Sequence, residues 1–279
     1  MMRTWTAILL LAAVHVSPQQ TFRSSVETVR VDVLATHDGR PVTGLTAGDF
    51  EVRDNGVLQT VDQALFEEIS LNVVLMLDGS GSVKGERSRQ LAEASRNLIA
   101  QLKPDDQAAL ITFGDNVLVR SGLTRNKDDV AKALDLTLPL GETALVDAAC
   151  AALLTGESQP GRALIVIFSD GVEASSYLAA ESVIELAKRS DGVVYGVSPK
   201  GVRRPPFLRN LVDASGGDLL EIQSNSEIDQ AFRKVLEEFR HRYLLSFTPV
   251  GVDRAGWHRL QVHVKRPGAS VRARPGYTR

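Results

Sequence analysis

The sequence predicts an α/β fold: a doubly wound, mostly parallel sheet with helices on both faces, joined to a small β-sandwich-like domain built from both chain ends. Three observations predict it. Residues 71–77 (Leu-Asn-Val-Val-Leu-Met-Leu) and 163–168 are nearly continuous apolar runs, the composition of strands buried on both faces. Helical spacings alternate with such runs between residues 71 and 242; in 87–102, for example, Leu91, Ala94, Leu98 and Leu102 share one face. Short β-branched segments bounded by turn residues stand on either side of that region.

Taken in order, the chain opens with Arg3, an apolar stretch over 5–14 and the polar Ser17-Pro18-Gln19-Gln20. A basic start, a short apolar run and a polar exit describe a secretory signal peptide, expected over 1–20. The run is short for a bilayer span, and no other transmembrane segment is expected. The chain is therefore expected to be exported, to the periplasm or beyond. Residues 21–69 are expected to be β-rich. Val26, Val29, Val31 and Val33 lie in an extended run, and His37-Asp38-Gly39 marks a turn. Asp54-Asn55-Gly56 between 50–53 and 57–61 is a hairpin signal, because Asn-Gly accepts the positive φ that a tight hairpin turn needs.

The α/β domain is expected over 70–242. Its strands are expected at 71–77, 108–113, 163–168, 193–197 and 218–222, with a short one reaching Val119. The turn at Gly114-Asp115-Asn116 makes that short strand an antiparallel edge. Helices are expected at 87–102, 127–136, 144–154, 178–189, 207–214 and 228–242. Strand character returns over 243–279, in 244–247, 259–264 and 270–273, with turns at 253–256 and Pro267-Gly268. Neither flank alone buries much surface, so 243–279 is expected to pair with 21–69.

Composition narrows the function. A net charge of −2 and only 5% aromatic residues argue against nucleic acid as a partner. The single cysteine, Cys150, forms no internal disulfide and is expected as a small buried core residue. Enzyme signatures are missing. The glycines directly flank Ser80, so G-x-S-x-G fails, and none of His37, His241, His258 or His263 falls in a loop of the α/β region. The phosphate-cradling G-x-x-x-x-G-K-[ST] is absent.

One constellation carries chemistry. Asp78-Gly79-Ser80-Gly81-Ser82 follows the first core strand, where open α/β sheets bind ligands. Alternate positions 78, 80 and 82 bring one carboxylate and two hydroxyls to one side of an extended turn. Oxygen ligands at short range suit a hard cation, most naturally Mg²⁺, with Mn²⁺ as its substitute. A second carboxylate, Asp170, ends another core strand in Phe168-Ser169-Asp170-Gly171. A third hydroxyl, Thr143, precedes a helix in Gly141-Glu142-Thr143-Ala144-Leu145.

These three peptides, over residues 70–242, together resemble the metal-ion-dependent adhesion site of von Willebrand factor type A domains. The resemblance implies that Ser80, Ser82 and Thr143 ligate a cation through their hydroxyls, with Asp78 and Asp170 acting directly or through water. It further implies an open coordination position, filled by an Asp or Glu of a protein partner. The flanks, with 44–50, Asp54-Asn55-Gly56, Trp257-His258, Arg266-Pro267-Gly268 and 274–277, are similar to exported bacterial proteins with such a core. The expected function is a metal-dependent binding protein and not an enzyme. The alternative is a structural subunit of a cell-envelope assembly in which metal is optional. Lys200, Arg203, Arg204 and Arg209 follow a core strand and are expected to steer acidic partners toward the metal. Arg259, Lys265, Arg266, Arg272, Arg274 and Arg279 are expected on the exposed face of the terminal strands.

Overall fold

The computed structural model describes residues 28–66, 69–79, 85–135, 141–170, 172–201 and 206–279. The expected signal peptide lies outside them. The chain begins with β1 (Val29–His37), β2 (Arg40–Pro41), β3 (Phe50–Asp54), β4 (Val57–Gln59) and β5 (Gln63–Phe66). The α/β region follows as β6 (Leu71–Asp78), α1 (Glu86–Ala100), β7 (Gln107–Phe113), β8 (Val117–Thr124), α2 (Lys127–Leu134), α3 (Leu145–Gly156), β9 (Arg162–Phe168), α4 (Ala180–Arg189), β10 (Val193–Pro199), α5 (Phe207–Ser215), β11 (Leu219–Ile222) and α6 (Ile228–Arg240). It closes with β12 (Tyr243–Phe247), β13 (Trp257–Val264), β14 (Ala269–Arg272) and β15 (Gly276–Thr278).

Six strands form the central sheet in the order β11-β10-β9-β6-β7-β8. All neighbours run parallel except β8, which is the antiparallel edge. Every residue of β6 is buried, because helices cover both faces. Val73, Leu75 and Leu77 face Leu91 and Leu98 of α1 and Val235 and Phe239 of α6. Val74 and Met76 face the opposite way, into Ala149 and Leu153 of α3 and Leu208 and Leu211 of α5. The period-2 alternation of a strand thus splits one apolar run between two cores. Each such side chain contributes about 1.5–3 kcal/mol by leaving water.

The two ends of the chain pair with each other. β1 runs antiparallel to β12 through Val29–Val33 and to β14 through Leu34–His37. Together with β2 and β5 they form one sheet; β15-β13-β3-β4 form another. Val31, Val33, Tyr243, Leu245 and Phe247 of the first meet Phe50, Val52, Leu260 and Tyr277 of the second. The β3–β4 turn carries positive φ at Asn55 and Gly56, as their Asn-Gly chemistry requires. β4 ends at Gln59 and not at Val61. β15 had no strand signal, since Pro275-Gly276 reads as a turn. A buried cluster holds it: the Tyr277 hydroxyl donates to Asp54 Oδ2 at 2.7 Å, and His258 Nδ1 lies 2.9 Å from Asp54 Oδ1.

The sandwich meets the sheet at the strands' amino ends. Arg162, the first residue of β9, pairs with Asp32 of β1, and both are buried. Arg242 donates to Tyr195 Oη, Asp32 O and Gly216 O. Arg274 donates to Ser190 O and Lys188 O, carbonyls at the end of α4. This corrects the expectation for the C-terminal cations. Arg274 is buried, and Arg272 is half-buried between Asp218 and Glu238. Arg259, Lys265 and Arg266 are exposed. Because the sandwich covers the amino ends, the carboxyl ends of the strands lie at the far side of the sheet.

Candidate metal centre

The chain leaves β6 for β7 and β8 on one side and returns to β9 on the other, so strand order reverses at the carboxyl end of β6. Asp78 is the last residue of β6 and is fully buried. It stands in register with Phe113 of β7, and Gly79 N donates to Phe113 O at 2.7 Å. Leu77 pairs with Phe168 of β9, which makes Asp78 and Ser169 neighbours. The Ser169 hydroxyl donates to Asp78 Oδ2 at 2.8 Å. The Ser169 hydroxyl thus helps to hold the Asp78 side chain in its rotamer. Sequence reasoning missed this role, although Ser169 stands beside a named candidate.

Two further peptides are stitched to this point. Ala144 N donates to Gly114 O, just beyond β7, at 2.8 Å. The Thr143 carbonyl accepts from Ala174 N and Ser175 N at 3.0 and 3.2 Å, and so joins the segment that follows Asp170. Asp170 Oδ1 accepts from Val172 N at 3.1 Å. Glu173 and Ser176 then satisfy the opening amides of α3: Val146 N donates to Glu173 Oε2 at 3.0 Å, and Asp147 N to Ser176 Oγ at 3.2 Å. Asp78, Thr143 and Asp170 are thereby drawn to the carboxyl ends of β6, β7 and β9. Ser80 and Ser82 lie outside the described residues. The Thr143 hydroxyl, on a buried residue, makes no hydrogen bond among the described residues.

Gly141 sets the entry to Thr143. Its φ is +70°, and a Cβ there would lie 2.0 Å from Asp115 Oδ2. The Asp115 carboxylate is already engaged, accepting from Glu142 N through Oδ1. Gly141→Ala is therefore expected to combine left-handed strain with a displaced Asp115, costing about 1–3 kcal/mol. Urea denaturation measures that loss; an unchanged midpoint would show that the loop yields without cost.

Residues 73–173 match the family model of the von Willebrand factor type A domain. This chain carries a von Willebrand factor type A domain. A UPF0353 protein of Mycolicibacterium vanbaalenii is 25% identical over 66% of this chain and 65% of its own length, so the chain spans a little under two thirds of that relative. The structure titled von Willebrand factor type A from Catenulispora acidiphila superposes with a TM-score of 0.56 at 13% identity, covering 92% of this chain and 74% of that one. That coverage extends the likeness of fold into the flanking strands. Proximal thread matrix protein 1 from the mussel byssus, solved with a zinc-occupied MIDAS motif, has a TM-score of 0.55 at 17% identity, over 64% of this chain and 48% of its own.

Other residues singled out from the sequence fall variously on the type A domain. Lys200 is exposed just past the carboxyl end of β10, at the same end as Asp78. Arg209 lies on α5, 4.0 Å from Asp213 one turn along. Arg203 and Arg204 lie outside the described residues. Cys150 is half-buried on α3 and not a fully buried core residue. Burial, and then the Asp147 carboxylate, raise its thiol pKa above the ordinary value. The thiolate is the reactive form, so Cys150 is expected to alkylate with iodoacetamide several-fold more slowly than glutathione at neutral pH. Labelling at the rate of glutathione would contradict that.

Proposed function

We propose that this type A domain protein binds a divalent cation, Mg²⁺ with Mn²⁺ as substitute, and uses it to engage an Asp or Glu of a protein partner. Asp78, Ser80, Ser82, Thr143 and Asp170 form the donor set. The reading rests on one observation: the peptides bearing Asp78, Thr143 and Asp170 are hydrogen-bonded together where strand order reverses. The donors fit the ion, because carboxylate and hydroxyl oxygens are hard ligands without competing sulfur or imidazole. Two carboxylates balance the charge of one divalent cation. An incoming third carboxylate is then attracted by the metal and not repelled by an over-acidic site. On this reading the chain acts by binding and performs no catalysis. It works outside the cytoplasm, after export directed by residues 1–20.

Titration with Mn²⁺ followed by electron paramagnetic resonance tests the site. The expected result is one bound Mn²⁺ per chain, displaced by Mg²⁺, and lost in both Asp78→Ala and Thr143→Ala. Free Mn²⁺ throughout a millimolar titration of the folded chain would refute the reading. Ser169→Ala is expected to weaken Mn²⁺ about tenfold, within the range for residues that orient metal ligands, with recovery in Ser169→Thr.

A further inference from the structure

Residues 172–178 form a segment with a well-bonded backbone and an apolar exterior. Its amides are nearly all spoken for. Ala174 N and Ser175 N donate to Thr143 O, and Ser176 N to Glu173 Oε1 at 2.8 Å. The Asp147 carboxylate receives Tyr177 N and Leu178 N, one on each oxygen, both at 2.9 Å. Such a double clamp restrains the loop backbone. Yet Val172, Tyr177 and Leu178 are 40%, 95% and 44% exposed. Leu118, Val119, Leu154 and Trp257 are also exposed, on β8, α3 and β13. Among the described residues, it is the 172–178 patch that is bonded directly to the peptides of Asp170 and Thr143.

An ordered loop that holds a tyrosine almost wholly in water gains nothing from that ring in its own folding. Tyrosine is a frequent interface anchor, because a large amphipathic surface is immobilised at the expense of only two torsions. Fixing the loop beforehand removes most of the ordering entropy that binding would otherwise cost. We propose that Val172, Tyr177 and Leu178 are the apolar half of a composite binding surface whose polar half is the cation. This rests on the proposed metal-dependent function. The partner it fits is a protein segment with an Asp or Glu beside an apolar pocket that accepts the Tyr177 ring.

A phage-displayed random peptide library, selected on the full chain in millimolar Mg²⁺, supplies the probe. Recovered peptides, synthesised with a fluorophore, are measured by anisotropy on the wild type, Tyr177→Ala, Tyr177→Phe and Asp78→Ala. The proposal expects peptides that place a carboxylate near apolar residues. Their affinity is expected to fall about tenfold or more in Tyr177→Ala and to be kept in Tyr177→Phe, while Mn²⁺ binding by Tyr177→Ala stays at the wild-type level. Peptides that bind Tyr177→Ala within about twofold of wild type, or a library yielding no Tyr177-dependent binder, would overturn it. Loss in Asp78→Ala with retention in Tyr177→Ala would leave the metal reading standing and remove the patch. The reverse pattern would keep the patch and remove the metal.

Discussion

Arg162→Ala is expected to lower the unfolding free energy by about 3–5 kcal/mol, because it leaves a buried carboxylate without its counter-charge. Arg162 and Asp32 are 5% and 8% exposed, and they join β9 of the central sheet to β1 of the sandwich. The guanidinium also sits over Phe239, its central carbon 4.8 Å from the ring centroid, so alanine removes packing as well as charge. The pair is not ideally solvated by protein: Arg162 Nε is buried without a hydrogen-bond partner among the described residues. Its value therefore lies in mutual neutralisation. Replacing both members with apolar residues, Asp32→Leu with Arg162→Met, is expected to recover most of the loss. Urea denaturation of the three variants decides this. A single Arg162→Ala change costing under about 1 kcal/mol would mean that water reaches Asp32 and that the layers are joined mainly by apolar contact.

The second large effect is linkage to the metal. A cation bound only by the native state stabilises it by about 2.7 kcal/mol at a hundredfold excess over its dissociation constant. For a chain of this size that corresponds to a rise of roughly 5–10 °C in Tm. Melts in Mg²⁺ and in Mn²⁺ are expected to exceed the melt in chelator by this order. Each variant is compared with its own melt in chelator, since removing Asp78 also removes the bond from Ser169. Asp78→Ala is expected to melt alike in all three conditions. Wild-type melts that coincide with and without millimolar metal would sink the metal-dependent function, and the envelope-subunit alternative would then lead.

Much of the architecture was legible because it depends on local periodicity. A run such as Val73-Val74-Leu75-Met76 with no polar break can only be a strand covered on both faces, and the helical face of Leu91, Ala94 and Leu98 demands an apolar neighbour. Asn55-Gly56 specified its turn through backbone sterics alone. The candidate donors were legible for a similar reason: Asp78 and Asp170 each follow an apolar strand, and parallel strands deliver such residues to one edge. What was missed depends on partners far away in sequence. Ser169 acquires its role only from the β6–β9 register, which sets it beside Asp78. Asp147 and Glu173 clamp the amides of Tyr177, Leu178 and Val146, and no local pattern marks them for it. Arg274 was expected on an exposed face and is buried.

The sequence by itself determined which segments are strands and helices and where the sheet reverses, since those follow from backbone geometry and side-chain periodicity. Only the tertiary structure decided which charges are buried, which carboxylates act as clamps and which apolar side chains are left in water. Burying a charge or exposing a ring depends on long-range neighbours, and those exist only once the whole chain has closed around its cores.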